Sequence, residues 1–252
     1  MRPHPLEAPG ADDPTDGLWQ ALGWRPDGDQ LQRLQALQEQ LRQWNSRLNL
    51  TRLVEGSDYW VAQIFDSLWP LVPLLDHPPA GPLRLIDVGT GGGFPGLAVA
   101  IALPQAQLTL VDSVGRKLEA VRAMAASLGL AERVQLRAER VERTGRHGDQ
   151  RGRYHLAMAR AVATAPVVAE YLVPLLAPEG QALLYRGQWT PHDGQLLEAA
   201  AGRLQARVER VERCELPQGR GVRHAVWLQP SGPCPATYPR AVGLPAKEPL
   251  AS

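Results

Sequence analysis

Between Leu83 and Arg116 the chain reads Leu-Arg-Leu-Ile-Asp-Val, then Gly89, Gly91, Gly92 and Gly93, and, one helix-length later, Leu108-Thr109-Leu110-Val111-Asp112. The apolar runs are short enough for buried strands, Pro95 suits a first helical position, and Pro104 stops the apolar stretch that begins at Leu97. This predicts strand, glycine loop, helix, strand, the opening unit of a parallel α/β sheet that binds a nucleotide-like cofactor at the loop.

The spacing Gly91-x-Gly93-x-x-Gly96 matches the dinucleotide fingerprint, so the flanking charges have to choose between cofactors. A phosphate-binding turn holds an anion on bare amides and a helix N-terminus, and a carboxylate at Asp87, two residues before the first glycine, would repel a pyrophosphate. S-adenosylmethionine has no phosphate and carries a sulfonium and an ammonium. Asp87, close backbone approach at Gly89 and Gly91, and Asp112 placed to accept ribose hydroxyls suit it better than a dinucleotide.

At 252 residues the chain is long enough for one large α/β domain with additions, and its 44% hydrophobic content is that of an ordinary globular protein. No apolar run approaches the ~18–20 residues of a membrane span, so no membrane association is expected. Residues 1–17 are rich in Pro, Asp and Gly and lack a signal-like basic start and apolar centre. Residues 1–28 are therefore expected to be a disordered or irregular extension. Cys214 and Cys234 are too few for a disulfide framework or a metal cluster; no metal and a reducing cytoplasm are the expectation. Lys117 and Lys247 are the two lysines among 27 cationic side chains, so 25 are arginines. Arginine suits bidentate phosphate recognition, but a proteome-wide bias toward it explains the count equally well.

Leu31, Leu34, Leu37, Leu41, Trp44 and Leu48 recur at helical spacing, and Ser57 could cap a second helix with Trp60, Ile64 and Leu68 on one face. These helices, residues 29–76, should pack on the core. Asn45, Asn49, Thr51 and Asp66 either cap helices and form a buried network or line the mouth of the cofactor site. Residues 77–229 alternate strand and helix and should form the cofactor-binding core. The strand ends then carry Asp87, Asp112, Glu139 to Glu142, Arg160 and Arg186 on the edge where open α/β sheets bind ligands. Residues 207–215 and 223–229 read as an antiparallel pair closing a mainly parallel sheet. Residues 230–252 are Pro-rich and are expected to be an extended tail.

Several runs closely resemble the bacterial RsmG (GidB) family: Trp44-Asn45 with Asn49-Leu50-Thr51, Phe65-Asp66-Ser67-Leu68, Asp87 to Gly96, Asp112-Ser113, Ala159-Arg160-Ala161 and Tyr185-Arg186-Gly187. The likeness covers about residues 30–190 and reaches Tyr238-Pro239-Arg240, Gly243, Pro245 and Lys247. It implies a Rossmann-like S-adenosylmethionine-dependent methyltransferase acting on N7 of a guanosine in 16S ribosomal RNA or a small-subunit precursor, cytoplasmic and monomeric. By the same resemblance Gly89 and Phe94 line the cofactor pocket, Val141 and Glu142 sit at the adenine, and Arg160 closes the site. Members commonly have Arg-His where this chain has Ala62-Gln63.

The residues agree with that chemistry by what they lack. Ala159-Arg160-Ala161-Val162 replaces the Asn- or Asp-Pro-Pro-aromatic loop that orients an exocyclic amine, and the one Pro-Cys pair, Pro233-Cys234, lies far from the fourth strand, against C5 methylation of a pyrimidine. Guanine N7 has an in-plane lone pair and no proton, so its methylation requires positioning rather than a base. Arg160 is the candidate positioning residue at the reacting centre. Arg186, Tyr238, Arg240 and Lys247 are the candidate RNA contacts, the last three combining a stacking group with two cations. A small-molecule methyltransferase on the same sheet and a cofactor-binding, RNA-associated protein without catalysis are the alternatives.

Overall fold

The computed structural model describes residues 16–252. Seven strands form one sheet: β1 (Leu83–Val88), β2 (Ala106–Asp112), β3 (Val134–Ala138), β4 (Tyr154–Arg160), β5 (Leu176–Arg186), β6 (Ala206–Glu215) and β7 (Val222–Pro230). Their order is β3-β2-β1-β4-β5-β7-β6. The first five are parallel, and β7 inserts antiparallel between β5 and β6. The chain starts at β1 and runs outward first one way and then the other, so the strand order reverses between β1 and β4. A crevice opens there, above their carboxyl ends.

Alternation along β1 builds a core on each side of the sheet: Leu83 and Leu85 join one apolar cluster, Ile86 and Val88 the other. The first cluster lies under the helices α1 (Asp16–Leu22), α2 (Gly28–Leu48), α6 (Gly96–Ala102) and α7 (Gly115–Ser127), and the second under α9 (Ala165–Leu172) and α10 (Pro191–Arg203). Asp27 caps α2, its side chain accepting from the Gln30 N–H while the Gln30 side chain accepts from the Asp27 N–H. Gly129 ends α7 at φ +69°, where the sequence places a C′ glycine.

Three segments differ from the sequence-based expectation. Residues 1–15 of the expected irregular extension lie outside the described residues, but residues 16–22 form α1, with Leu18, Trp19 and Leu22 buried. Trp19 meets Trp60 edge-on at 5.9 Å. The helix is seven residues long, too short for a periodicity signal or for stability in isolation, and it docks through that tryptophan. The helix expected from Ser57 is instead α3 (Gly56–Tyr59), a π-helical turn (Trp60–Phe65), α4 (Asp66–Leu68), a 3₁₀ turn (Trp69–Leu71) and α5 (Val72–Asp76). The Ser57 hydroxyl accepts from Arg220 and caps nothing. The expected extended tail is folded back on the domain, with α11 (Leu244–Lys247) and buried Pro239, Pro245 and Leu250. Its anchors are polar: Arg240 pairs with the fully buried Glu170, and the Arg151 guanidinium donates to the carbonyls of Tyr238, Cys234 and Pro235. A count of apolar residues cannot register that kind of attachment.

Candidate cofactor and substrate site

The glycine loop leaves β1 and enters α6 through a tight turn whose shape is set from below. Asp87 is fully buried, and its Oδ2 accepts from the Gly96 N–H at 2.9 Å, tying the end of β1 to the start of α6. A Cβ on Gly96 would lie 2.3 Å from Leu110 Cδ2 and 2.9 Å from that same Oδ2, so only glycine lets helix and strand come this close. Burial pushes the Asp87 carboxyl up from 3.8 to about 6, against the opposing pull of the Gly96 amide and the Arg160 charge. Its Oδ1 is buried without a hydrogen-bond partner.

Above the loop are two neighbouring cavities of about 890 and 260 Å³, which share Gly89, Asp112 and Val162 in their walls. Asp112 sits at the junction. Its Oδ2 accepts from the Gly91 N–H at 2.9 Å and its Oδ1 from the Val114 N–H at 2.8 Å, so the carboxylate is fixed while each oxygen keeps a further lone pair. Gly89 has φ +73°, and a Cβ there would meet Val162 Cγ2 at 2.6 Å. The glycine thus admits the loop after β4 as well as any ligand.

The larger cavity is bounded on one side by the N-terminal helices. Arg160, at the end of β4, donates to the Asp66 Oδ2 at 3.2 Å, to the Ala62 carbonyl at 3.3 Å and to the Gln63 side chain. All three acceptors lie on the π-helical turn or just beyond it, and such turns often mark functional sites. Ala161 follows in the left-handed region at φ +57°, rare for a residue with a Cβ, and also lines the cavity. Arg186 donates to the Ala163 carbonyl at 2.7 Å, and its buried Nε has no partner. Lys117 and Arg223 complete the basic part of the wall, with Arg223 Nε 3.6 Å from the Asp66 Oδ1.

Of the residues singled out in the sequence, Gly89, Gly91, Phe94, Asp112, Arg160 and Arg186 line the larger cavity, and Val141 joins Gly89 and Asp112 on the smaller. Asp87 and Glu142 are fully buried and line neither. Glu142 stands behind Val141, accepting from Arg140 and from the Gly243 N–H, both at 2.9 Å; those partners outweigh the effect of burial and hold its carboxyl below the usual range. The expected RNA contacts of the tail are not brought to the larger cavity: Arg240 is committed to Glu170, Tyr238 packs on the second core cluster, and Lys247 lies exposed on α11. Of the two readings of the polar residues before the loop, Thr51 and Asp66 do line the mouth, while Asn45 Oδ1 accepts from the Thr51 N–H and Asn49 ends α2 in the left-handed region. Gln63 stood out in the sequence only as a departure from the family's Arg-His, and Lys117 and Arg223 had no signal as site residues. The last is one arginine in an alternating strand.

Among the described residues no group of three or more His, Cys, Asp or Glu is arranged to hold a metal ion, and no helix is long and apolar enough to cross a membrane.

A sheet ordered 3-2-1-4-5-7-6, a glycine turn after β1 and a carboxylate at the end of β2 make this the Rossmann-like fold of the S-adenosylmethionine-dependent methyltransferases. The solved citrinin polyketide synthase CMeT domain superposes on 69% of this chain and 53% of its own, with a TM-score of 0.52 at 14% identity. The family model described as GidB, rRNA small subunit methyltransferase G, matches residues 30–223, and the chain belongs to that family. A ribosomal RNA small subunit methyltransferase G from Synechococcus sp. (strain RCC307) is 64% identical over 92% of this chain and 98% of its own. Another, from Prochlorococcus marinus (strain MIT 9313), is 60% identical over 95% and 96%.

Proposed function

We propose that this protein transfers a methyl group from S-adenosylmethionine to N7 of a guanosine in 16S ribosomal RNA, in the cytoplasm and as a monomer. The observation that carries the reading is the junction of the two cavities: a glycine turn, a fixed carboxylate and an arginine clamped at the mouth, in a family described by ribosomal RNA methylation.

The cofactor suits the residues present. The Gly89–Gly91 backbone and Asp112 offer an uncrowded main chain and free lone pairs to the ribose. The smaller cavity, walled by Val141, Val88, Val111 and Tyr171, offers apolar surface to a flat base. When bound, the cofactor supplies an electrophilic methyl group. Asp87, beneath the loop, adds negative charge where a cation has to lie, and Gly91 and Phe94 face the cavity that would receive its amino-acid end.

Substrate enters from the larger cavity's mouth, where Lys117, Arg186 and Arg223 face a phosphate-bearing strand. Arg160 spends Nη1 on Ala62 and Asp66 and one Nη2 hydrogen on Gln63, so its Nε–H and the other Nη2 hydrogen are the groups left for the O6 side of a guanine, the edge that carries N7. As N7 bears no proton, no base is needed; holding nucleophile and methyl in line supplies most of the rate, which can be worth roughly 7–11 kcal/mol.

Mapping N7-methylguanosine in ribosomal RNA from cells with and without the protein tests the proposal. One guanosine should lose its methyl group in the deletion strain and regain it on complementation. An unchanged ribosomal RNA pattern, or purified protein giving no binding heat with S-adenosylmethionine, would overturn it.

A further inference from the structure

The smaller cavity has one wall that does not come from the sheet or its crossover helices. Ala246, on α11, lines it together with Arg140, Val141 and Tyr171. The segment carrying Ala246 is held at two buried carboxylates. Glu170 is fully buried, and both of its oxygens accept from Arg240, with the Arg240 backbone N–H added at 2.8 Å. Glu142 is also fully buried; besides Arg140 it accepts from the Gly243 backbone N–H at 2.9 Å, three residues before Ala246. A buried carboxylate stripped of its partners is costly. The core therefore carries one charge, Glu170, whose hydrogen-bond partners all come from Arg240 of the tail, and a second, Glu142, which the tail's Gly243 amide helps Arg140 to satisfy and which directly follows Val141 of the cavity wall.

We infer that the C-terminal segment is a wall of the cofactor's adenosine pocket, with Ala246 setting the room left for the base and the Arg240–Glu170 and Gly243–Glu142 anchors holding that wall in place. This deepens the reading of the site as an S-adenosylmethionine site and rests on it. It also reassigns the tail: Arg240 holds the segment on the domain, so the segment acts on cofactor binding rather than on RNA. Ala246 lines the cavity while remaining exposed, so it stands at the cavity's rim, where a large side chain adds bulk beside the space left for the base.

The test is calorimetric titration of the full chain with S-adenosylhomocysteine, alongside Ala246→Trp and Arg240→Ala. Ala246→Trp should weaken binding at least about tenfold with an unchanged melting temperature, whereas Arg240→Ala should weaken binding and lower the melting temperature together. Hydrogen exchange on the wild type needs no variant to fold: amides of residues 240–250 should gain protection when S-adenosylhomocysteine is added. Wild-type affinity in Ala246→Trp, or unchanged exchange in the tail on binding, overturns the inference while leaving the site assignment intact. A wild type that does not bind S-adenosylhomocysteine overturns the site assignment itself, and the inference with it.

Discussion

Replacing Asp87 by asparagine should stabilise the unliganded protein, by an amount that depends on pH. The carboxyl is fully buried, and its pKa is pushed up from 3.8 to about 6, so the folded state binds this proton more tightly than the unfolded chain does. That advantage is complete below about pH 4 and is lost as pH rises through about 6, which leaves an ionised carboxylate destabilising the fold at neutral pH. The rise corresponds to about 3 kcal/mol at pH 7. Asparagine keeps an oxygen for the Gly96 N–H and has no charge to desolvate. The difference in unfolding free energy between Asp87→Asn and wild type, from urea titrations in the absence of cofactor, should therefore move by about 3 kcal/mol in favour of the variant between about pH 4 and pH 7. Cofactor affinity should fall in the same variant, because the charge that favours a sulfonium and an ammonium is gone. A stability difference that stays flat across this pH range would refute the reasoning, since Asp87 would then titrate alike in the folded and unfolded states.

Three further outcomes follow from the site. Asp66→Ala releases Arg160 from its carboxylate partner and should lower the single-turnover methylation rate about 100-fold while changing S-adenosylmethionine affinity much less; the reverse pattern, from rapid-quench and calorimetric measurements, would assign Arg160 to the cofactor. Arg186→Ala and Arg223→Ala should each reduce the salt dependence of RNA binding by about 0.7 in log–log slope, as a lost phosphate contact does, while Arg240→Ala leaves that slope unchanged; a wild-type slope in the Arg186 and Arg223 variants would remove the mouth arginines from the RNA path. Glu170→Ala strands Arg240 beside the core and should cost about 3–5 kcal/mol of stability in urea unfolding, with a loss below about 1 kcal/mol showing that the pair is solvated.

The local sequence determined much of this protein. The apolar runs, Gly89 to Gly96 and the placement of Asp87 and Asp112 are consequences of strand, turn and helix chemistry, where each residue answers to neighbours a few positions away. That is why the strand ends and the larger cavity's lining at Gly89, Gly91, Asp112, Arg160 and Arg186 were legible in the sequence, whereas Phe94 came only with the family resemblance. Tertiary structure decided which polar groups are exposed and which are spent. Arg240 reads like an RNA contact because a sequence shows a charge but not its partner, and Glu170, 70 residues away, becomes that partner only when the tail folds back. Asp87 and Glu142 read like ligand contacts, yet close packing places them behind the walls, where they hold the Gly96 and Gly243 amides. The π turn that presents Ala62, Gln63 and Asp66 to Arg160 has the apolar stripe of an ordinary helix. The partner of those groups, Arg160, lies 98 positions from Ala62 in the chain, and no local periodicity records it.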